Sequence, residues 1–194
     1  MEKYIKSKTL ADNRKPESTL NLLLRDFGKQ SIVDIQKLVT YINSLPLFHL
    51  EDLNEILYDP ERYTPQILNN EYYQSLTNTK GIYIQSHKQI VIFEIHSMDQ
   101  LLHLIFHELG HHVYFKIIKQ ATKMKWVKDI CRNDKFITEY ASRNAAEDFA
   151  ESYASYLLEP DKLKQIPLKY NFLRKHVFED VGLIMSNNKL DYRA

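Results

Sequence analysis

Residues 107 to 111 read His107-Glu108-Leu109-Gly110-His111, the stretch that most constrains what this chain can become. On a helix, an interval of four sets both imidazoles on one face, where their ring nitrogens can share a tetrahedral metal. Glu108, one step round, reaches a water on that metal and suits the part of general base. Chance supplies roughly 0.02 such His-Glu-x-x-His strings in a chain of this composition, so incidental histidines on a surface helix are the weaker reading.

The flanking residues predict a buried helix. Ser97 suits an N-cap, with Gln100 three residues on to close a capping box and Asp99 at the positive end of the dipole. Leu101, Leu102, Leu104, Ile105, Leu109 and Val113 supply more apolar surface than a solvated helix needs. Gly110 costs roughly 1 kcal/mol against alanine inside a helix. It makes sense if another backbone or the metal comes close; otherwise it is a tolerated helix glycine. His103 and His112 add nothing to the ligand pair in this geometry and read as packing or hydrogen-bonded histidines.

Two histidines leave a catalytic zinc site one protein ligand short. The best source lies downstream, in Tyr140-Ala-Ser-Arg-Asn144-Ala-Ala-Glu147-Asp-Phe-Ala-Glu151-Ser-Tyr-Ala154. Asn144 can cap a helix running to about Leu158, which makes Glu147 either a capping-box carboxylate or a ligand. Glu147, Glu151 and Ala154 recur at helical spacing, so two carboxylates share a face with small residues. A cation between the two helices would turn that like-charge cost into attraction.

Together the two motifs, with Tyr140 seven residues before Glu147, resemble the catalytic domain of anthrax lethal factor and its small relatives, the bacterial Pro-Pro endopeptidases. The likeness extends through Tyr156-Leu-Leu and Lys169-Tyr-Asn-Phe-Leu, about residues 80 to 175. It implies one zinc ion per chain held by His107, His111 and Glu147, with Glu108 as base and Tyr140 as oxyanion donor. Glu151 matches the family's second carboxylate, which orients a ligand histidine, a role that zinc-bound imidazoles generally require. It implies a zincin-like α+β fold: a small sheet, with a hairpin before the active-site helix, above two crossed helices. A zinc metalloendopeptidase acting on a protein or peptide is the activity implied.

One departure limits the likeness. Pro-Pro endopeptidases carry a Trp- and Gly-rich stretch before the active-site helix, whereas residues 69–80 here contain neither residue and Trp126 follows the helix. Proline selectivity is therefore not implied. Phage-repressor-cleaving and stress-regulator proteases also join such a motif to a downstream glutamate helix, and Phe149-Ala through Leu157-Leu-Glu-Pro160 is similar to them. The spacing of Tyr140 favours the lethal-factor side. Peptide deformylases take a cysteine ligand, and Cys131 has no matching context. A silent zinc-containing binding module would have no need of Glu108 as a base.

Composition fits one compact domain over residues 1–194. A hydrophobic share of 44% can fill a real core, and a net charge of +1 gives no global pull toward nucleic acid or an anionic membrane. Lys116 to Lys135 holds seven basic and two acidic residues, with Lys116, Lys119 and Lys123 expected on one solvated helix face. A single cysteine excludes an internal disulfide framework. The start lacks the apolar core of a signal peptide and no apolar run is long enough to span a bilayer, which points to a cytoplasmic enzyme unless a leader was trimmed.

Residues 1–16 are charged and expected to be flexible, 17–80 to form a helical N-terminal part, and 81–178 the catalytic core. Helices are expected from about Glu17 to Phe27, from a Ser31 cap to about Asn43 with Ile32, Ile35, Leu38, Val39 and Ile42 as its stripe, and near Leu168–Val177. Residues 47–58 fit helix or strand, and 59–80 read as irregular. Ile82–Gln85 and Gln89–Ile95 read as hairpin strands, the second buried on both faces and therefore internal. The family likeness implies an extended substrate on an edge strand before the active-site helix. That places Gly81, Ile82, Tyr83, Ile84 and Gln85 as the substrate strand, with Gly81 permitting close backbone approach.

Overall fold

The computed structural model describes residues 3–6, 21–68, 78–131 and 135–178. It is α+β. Five strands, β1 (Lys3–Lys6), β2 (Asn21–Arg25), β3 (Glu55–Tyr58), β4 (Gly81–Ile84) and β5 (Gln89–Ile92), form one mixed sheet in the order β1-β2-β3-β5-β4. The β2–β3 and β3–β5 pairs are parallel and the outer two are antiparallel. Helix α1 (Ile35–Asn43) lies between β2 and β3, and the short α2 (Tyr63–Ile67) follows β3.

Period-two burial explains the sheet. Ile56, Ile90 and Ile92 point into the main core, while Leu57, Val91 and Phe93 point to the opposite face, where Ile82, Ile84 and Leu68 cover them. Strand β5 is buried throughout, as the apolar run Ile90–Phe93 predicts for an inner strand. Strand β4 is the outer one, so the hairpin's first arm forms the edge of the described sheet.

Two capped helices carry the candidate site. In α3 (Met98–His112) the Ser97 hydroxyl accepts from the Gln100 N–H. The reciprocal bond is shifted by one residue, for Gln100 Oε1 accepts from the His96 N–H rather than that of Ser97. In α5 (Ala145–Leu158) the Asn144 side chain accepts from the N–H groups of Ala146 and Glu147. The two helices pack against each other, and they come close together at Gly110. A Cβ there would stand 2.8 Å from the Cα of Ala150, so backbone proximity explains a glycine inside a buried helix. Behind α5, Trp126 is fully buried, packs edge-on against Phe149 and donates its indole N–H to Ala145 O.

Several expectations are corrected. Asn21–Arg25 is a strand, not part of a helix, because Leu22 and Leu24 face the core while Leu23 and Arg25 alternate outward. The part of the expected helix before Asn21 lies outside the described residues. Helix α1 begins at Ile35 with Asp34 as cap, since Gln30 Oε1 claims the N–H groups of Ile32 and Val33 and holds the Ser31 region in a turn. Ile32 is accordingly exposed. The N-terminal part, residues 17–80, contributes two of the five strands, β2 and β3, and is not simply helical, and residues 3–6 of the segment expected to be flexible form β1.

Lys116, Lys119 and Lys123 do not share a helix face. The chain extends at Ile118 and Lys119, so Lys116 belongs to the π-turn Val113–Ile117 and Lys123 to α4 (Gln120–Lys125). Lys123 instead donates to Phe115 O. The last helical stretch is divided into α6 (Pro160–Leu163), α7 (Pro167–Leu173) and a π-turn over Arg174–Phe178. Pro160 and Pro167 each open a new helix, as a residue without an N–H does. Among the described residues no helix is long and apolar enough to cross a membrane.

Candidate metal centre

Three ligand atoms meet between α3 and α5. His107 Nε2 and His111 Nε2 are 3.2 Å apart. Glu147 Oε2 lies 3.2 Å from the first and 3.1 Å from the second. A tetrahedral ion with bonds of about 2.0–2.1 Å sets its ligands about 3.3–3.4 Å apart, so this triangle needs little adjustment to close on one. His107, His111 and Glu147 can thus hold a metal ion. Of the two readings of Glu147, the geometry favours the ligand: Asn144 performs the capping, and the Glu147 carboxylate turns to the histidines.

The electrostatics draw positive charge to the same point. Burial opposes a charged His107, but hydrogen bonds with Glu147 and Glu151 outweigh it and raise its pKa to about 10. Burial also opposes an ionised Glu147, yet His107 and His111 bring it down to about 2. A divalent cation would take the place of the protons shared in this cluster.

Glu151 backs the first ligand. Its Oε1 lies 2.7 Å from His107 Nδ1, and since a carboxylate only accepts, Nδ1 carries a proton and Nε2 is the nitrogen turned to the cluster. His103 also approaches Glu151, at 3.4 Å, so its expected packing role includes a polar contact. Despite its burial, Glu151 is held well below the usual carboxylate range by His103, His107 and Thr138. The second ligand differs. His111 Nδ1 is buried with no hydrogen-bond partner among the described residues, and Phe115 stacks on its ring. His112 is one of the hydrogen-bonded histidines: Nδ1 lies 2.9 Å from Tyr83 Oη and Nε2 lies 2.8 Å from Glu51 O.

The cluster opens into a cleft of about 360 Å³ whose lining brings together Glu108, Tyr140 and β4. Glu108 is buried, and its Cγ would stand 3.7 Å from a Cβ on Gly81, an ordinary contact distance, so this carboxylate lies directly beneath the strand. Tyr140 remains 41% exposed, with its ring centred 5.7 Å from that of His107 and covered by the Arg143 guanidinium. Burial, then the Glu147 charge, raises the Tyr140 pKa and keeps the phenol protonated.

The edge strand faces the same cleft. Phe93 N–H donates to Lys80 O, and Gly81 pairs with Ile92. Antiparallel alternation then turns the backbone groups of Gly81 and Tyr83 away from β5, toward the outer side of β4. The Gly81 carbonyl is met there by the Thr79 hydroxyl. Gln85 falls in the turn beyond β4 rather than in the strand, although it lines the cleft.

Sequence reasoning missed Thr138 and Phe115. A lone hydroxyl and one aromatic in an apolar run carry no pattern that marks them. Residues 69–77, within the stretch that lacks the Trp- and Gly-rich signature, lie outside the described residues. Comparison with protein families, curated proteins and solved structures finds no match to this chain.

Proposed function

We propose that the chain is a zinc-dependent endopeptidase, with one zinc per chain on His107, His111 and Glu147. The observation that carries this reading is the convergence of three ligand atoms beside a buried Glu108, in a cleft bordered by a sheet edge that no strand among the described residues pairs with. When bound, zinc lowers the pKa of water toward about 7 and polarises a carbonyl oxygen. Glu108 takes the proton of the attacking water and returns it to the leaving amine as the C–N bond breaks. Tyr140 donates its O–H to the oxygen that gains charge. The substrate runs extended along β4, exchanging backbone hydrogen bonds with Gly81 and Tyr83.

The direct test is a mass-spectrometric cleavage profile on a peptide library, with zinc-loaded protein and with protein stripped by a chelator. Zinc-dependent internal cleavage supports the reading. Intact peptides under both conditions would reject it in favour of a binding module.

Two narrower outcomes follow from the geometry. Tyr140→Phe should lower kcat by about 10²–10³-fold with KM nearly unchanged, as expected for a contact made mainly as charge develops. Parent-like kinetics would make Tyr140 a wall of the cleft only. For the substrate strand, N-methylation of a cleaved peptide should raise KM at alternate backbone positions, because β4 offers outward groups at every second residue. A uniform response along the peptide would rule out strand addition.

A further inference from the structure

One residue joins the two halves of the candidate site, and nothing in the motifs points to it. Thr138 Oγ1 donates to Glu151 Oε2 at 2.8 Å, and the same oxygen accepts from the Ala141 N–H at 3.1 Å. The other oxygen of Glu151 takes the Nδ1 proton of His107. An unbroken chain of hydrogen bonds therefore runs from His107, through the buried carboxylate of Glu151 and the Thr138 hydroxyl, to the backbone of the 3-10 turn Tyr140–Arg143. Tyr140 sits in that turn, directly before Ala141.

The arrangement is asymmetric, which gives Thr138 its weight. His111 Nδ1 has no hydrogen-bond partner among the described residues, so the outer support of the ligand set rests on Glu151. Glu151 is itself 4% exposed and needs donors for both oxygens, because a buried carboxylate with an unmet lone pair loses much of its hold. Thr138 supplies the donor that the histidines leave unfilled. By accepting from Ala141 it also fixes where the turn begins, and hence where the phenol stands over His107.

We infer that Thr138 is a positioning residue that sets the His107–Glu151 pair and Tyr140 in register, so that ligand orientation and oxyanion donation are built as one unit. The zinc arm of its test stands apart from the peptidase reading; only the kinetic arm rests on it.

The test compares Thr138→Val, which keeps the shape and removes both hydrogen bonds, with Thr138→Ser, which keeps the hydroxyl. Zinc affinity is read by competition with a chromophoric chelator on the full chain. The valine variant should bind zinc about 10-fold or more weakly, within the range seen when an outer partner of a ligand is lost. Serine should stay close to the parent. On a cleaved peptide, the valine variant should lose about 10–100-fold in kcat with little change in KM. In a Tyr140→Phe background the same substitution should cost at least about 3-fold less in kcat than it does in the parent, because one of the two groups it positions is already gone. Should the valine variant not fold, as judged by circular dichroism, Thr138→Ala takes its place. Parent-like zinc affinity and kcat in the valine variant would overturn the inference, as would serine as damaged as valine or fully additive losses with Tyr140→Phe. A parent that cleaves no peptide would sink the peptidase reading, and the zinc arm alone would then decide whether Thr138 supports the ligand pair.

Discussion

Glu108→Gln should leave the protein folded and able to bind metal, yet lower peptide hydrolysis by about 10³-fold or more. Positioned proton transfer contributes about 10²–10⁴-fold, and here a single group is asked to act both as base and as acid. The amide matches the carboxylate in size, so the space under Gly81 is still filled and α3 keeps its packing against β4. What changes is that an amide cannot accept the water's proton. The measurement is kcat on a library-derived peptide, with metal content by mass spectrometry and melting temperature alongside. A variant that keeps metal and fold while retaining near-parent kcat would remove Glu108 from the reaction and with it the proposed mechanism.

Loss of a ligand should act on the ion first. His107→Ala, His111→Ala and Glu147→Ala should each abolish stoichiometric zinc at micromolar protein, because two remaining donors cannot close a three-point site. They should abolish activity with it. Glu151→Ala should behave differently: it leaves all three ligand atoms in place and should weaken zinc by about 10–100-fold while leaving it measurable. If Glu147→Ala keeps full occupancy and Glu151→Ala loses it, the two carboxylates have exchanged roles. The ion-free variants also probe the cluster's charge. With an imidazole gone, Glu147 loses one of the two partners that hold its pKa near 2.

The site was legible to different depths in the sequence. His107, Glu108 and His111 are fixed relative to one another by one helical turn, and Ser97 and Asn144 announce where the two helices start. Those relations are local. Glu147 and Glu151 could be ranked as ligand and support only by resemblance, since spacing alone leaves both on one face. Their distances to the imidazoles now separate them, one at Nε2 and the other at Nδ1. The hairpin order was readable because the second arm carries the apolar run Ile90–Phe93, whereas the first arm, residues 81–85, is shorter and less apolar. Asn21–Arg25 was not readable, because three consecutive leucines satisfy a helical period as well as a strand's. Only its parallel pairing with β3 decides the matter.

By itself, then, the sequence determined a capped, buried helix with two histidines and a carboxylate on one turn, a second capped helix with two carboxylates on one face, an inner strand, and an α+β composition. Each of these depends on residues within a few positions of one another, where backbone geometry leaves little choice. The tertiary structure decided which oxygen meets which nitrogen, that Ala150 comes too close to Gly110 for a Cβ there, that β4 is the outer strand beside Glu108, and that Thr138 ties the Ala141 N–H to Glu151. Those facts arise from contacts between segments far apart in the chain. Such contacts are set by how whole faces pack, and no local pattern records them.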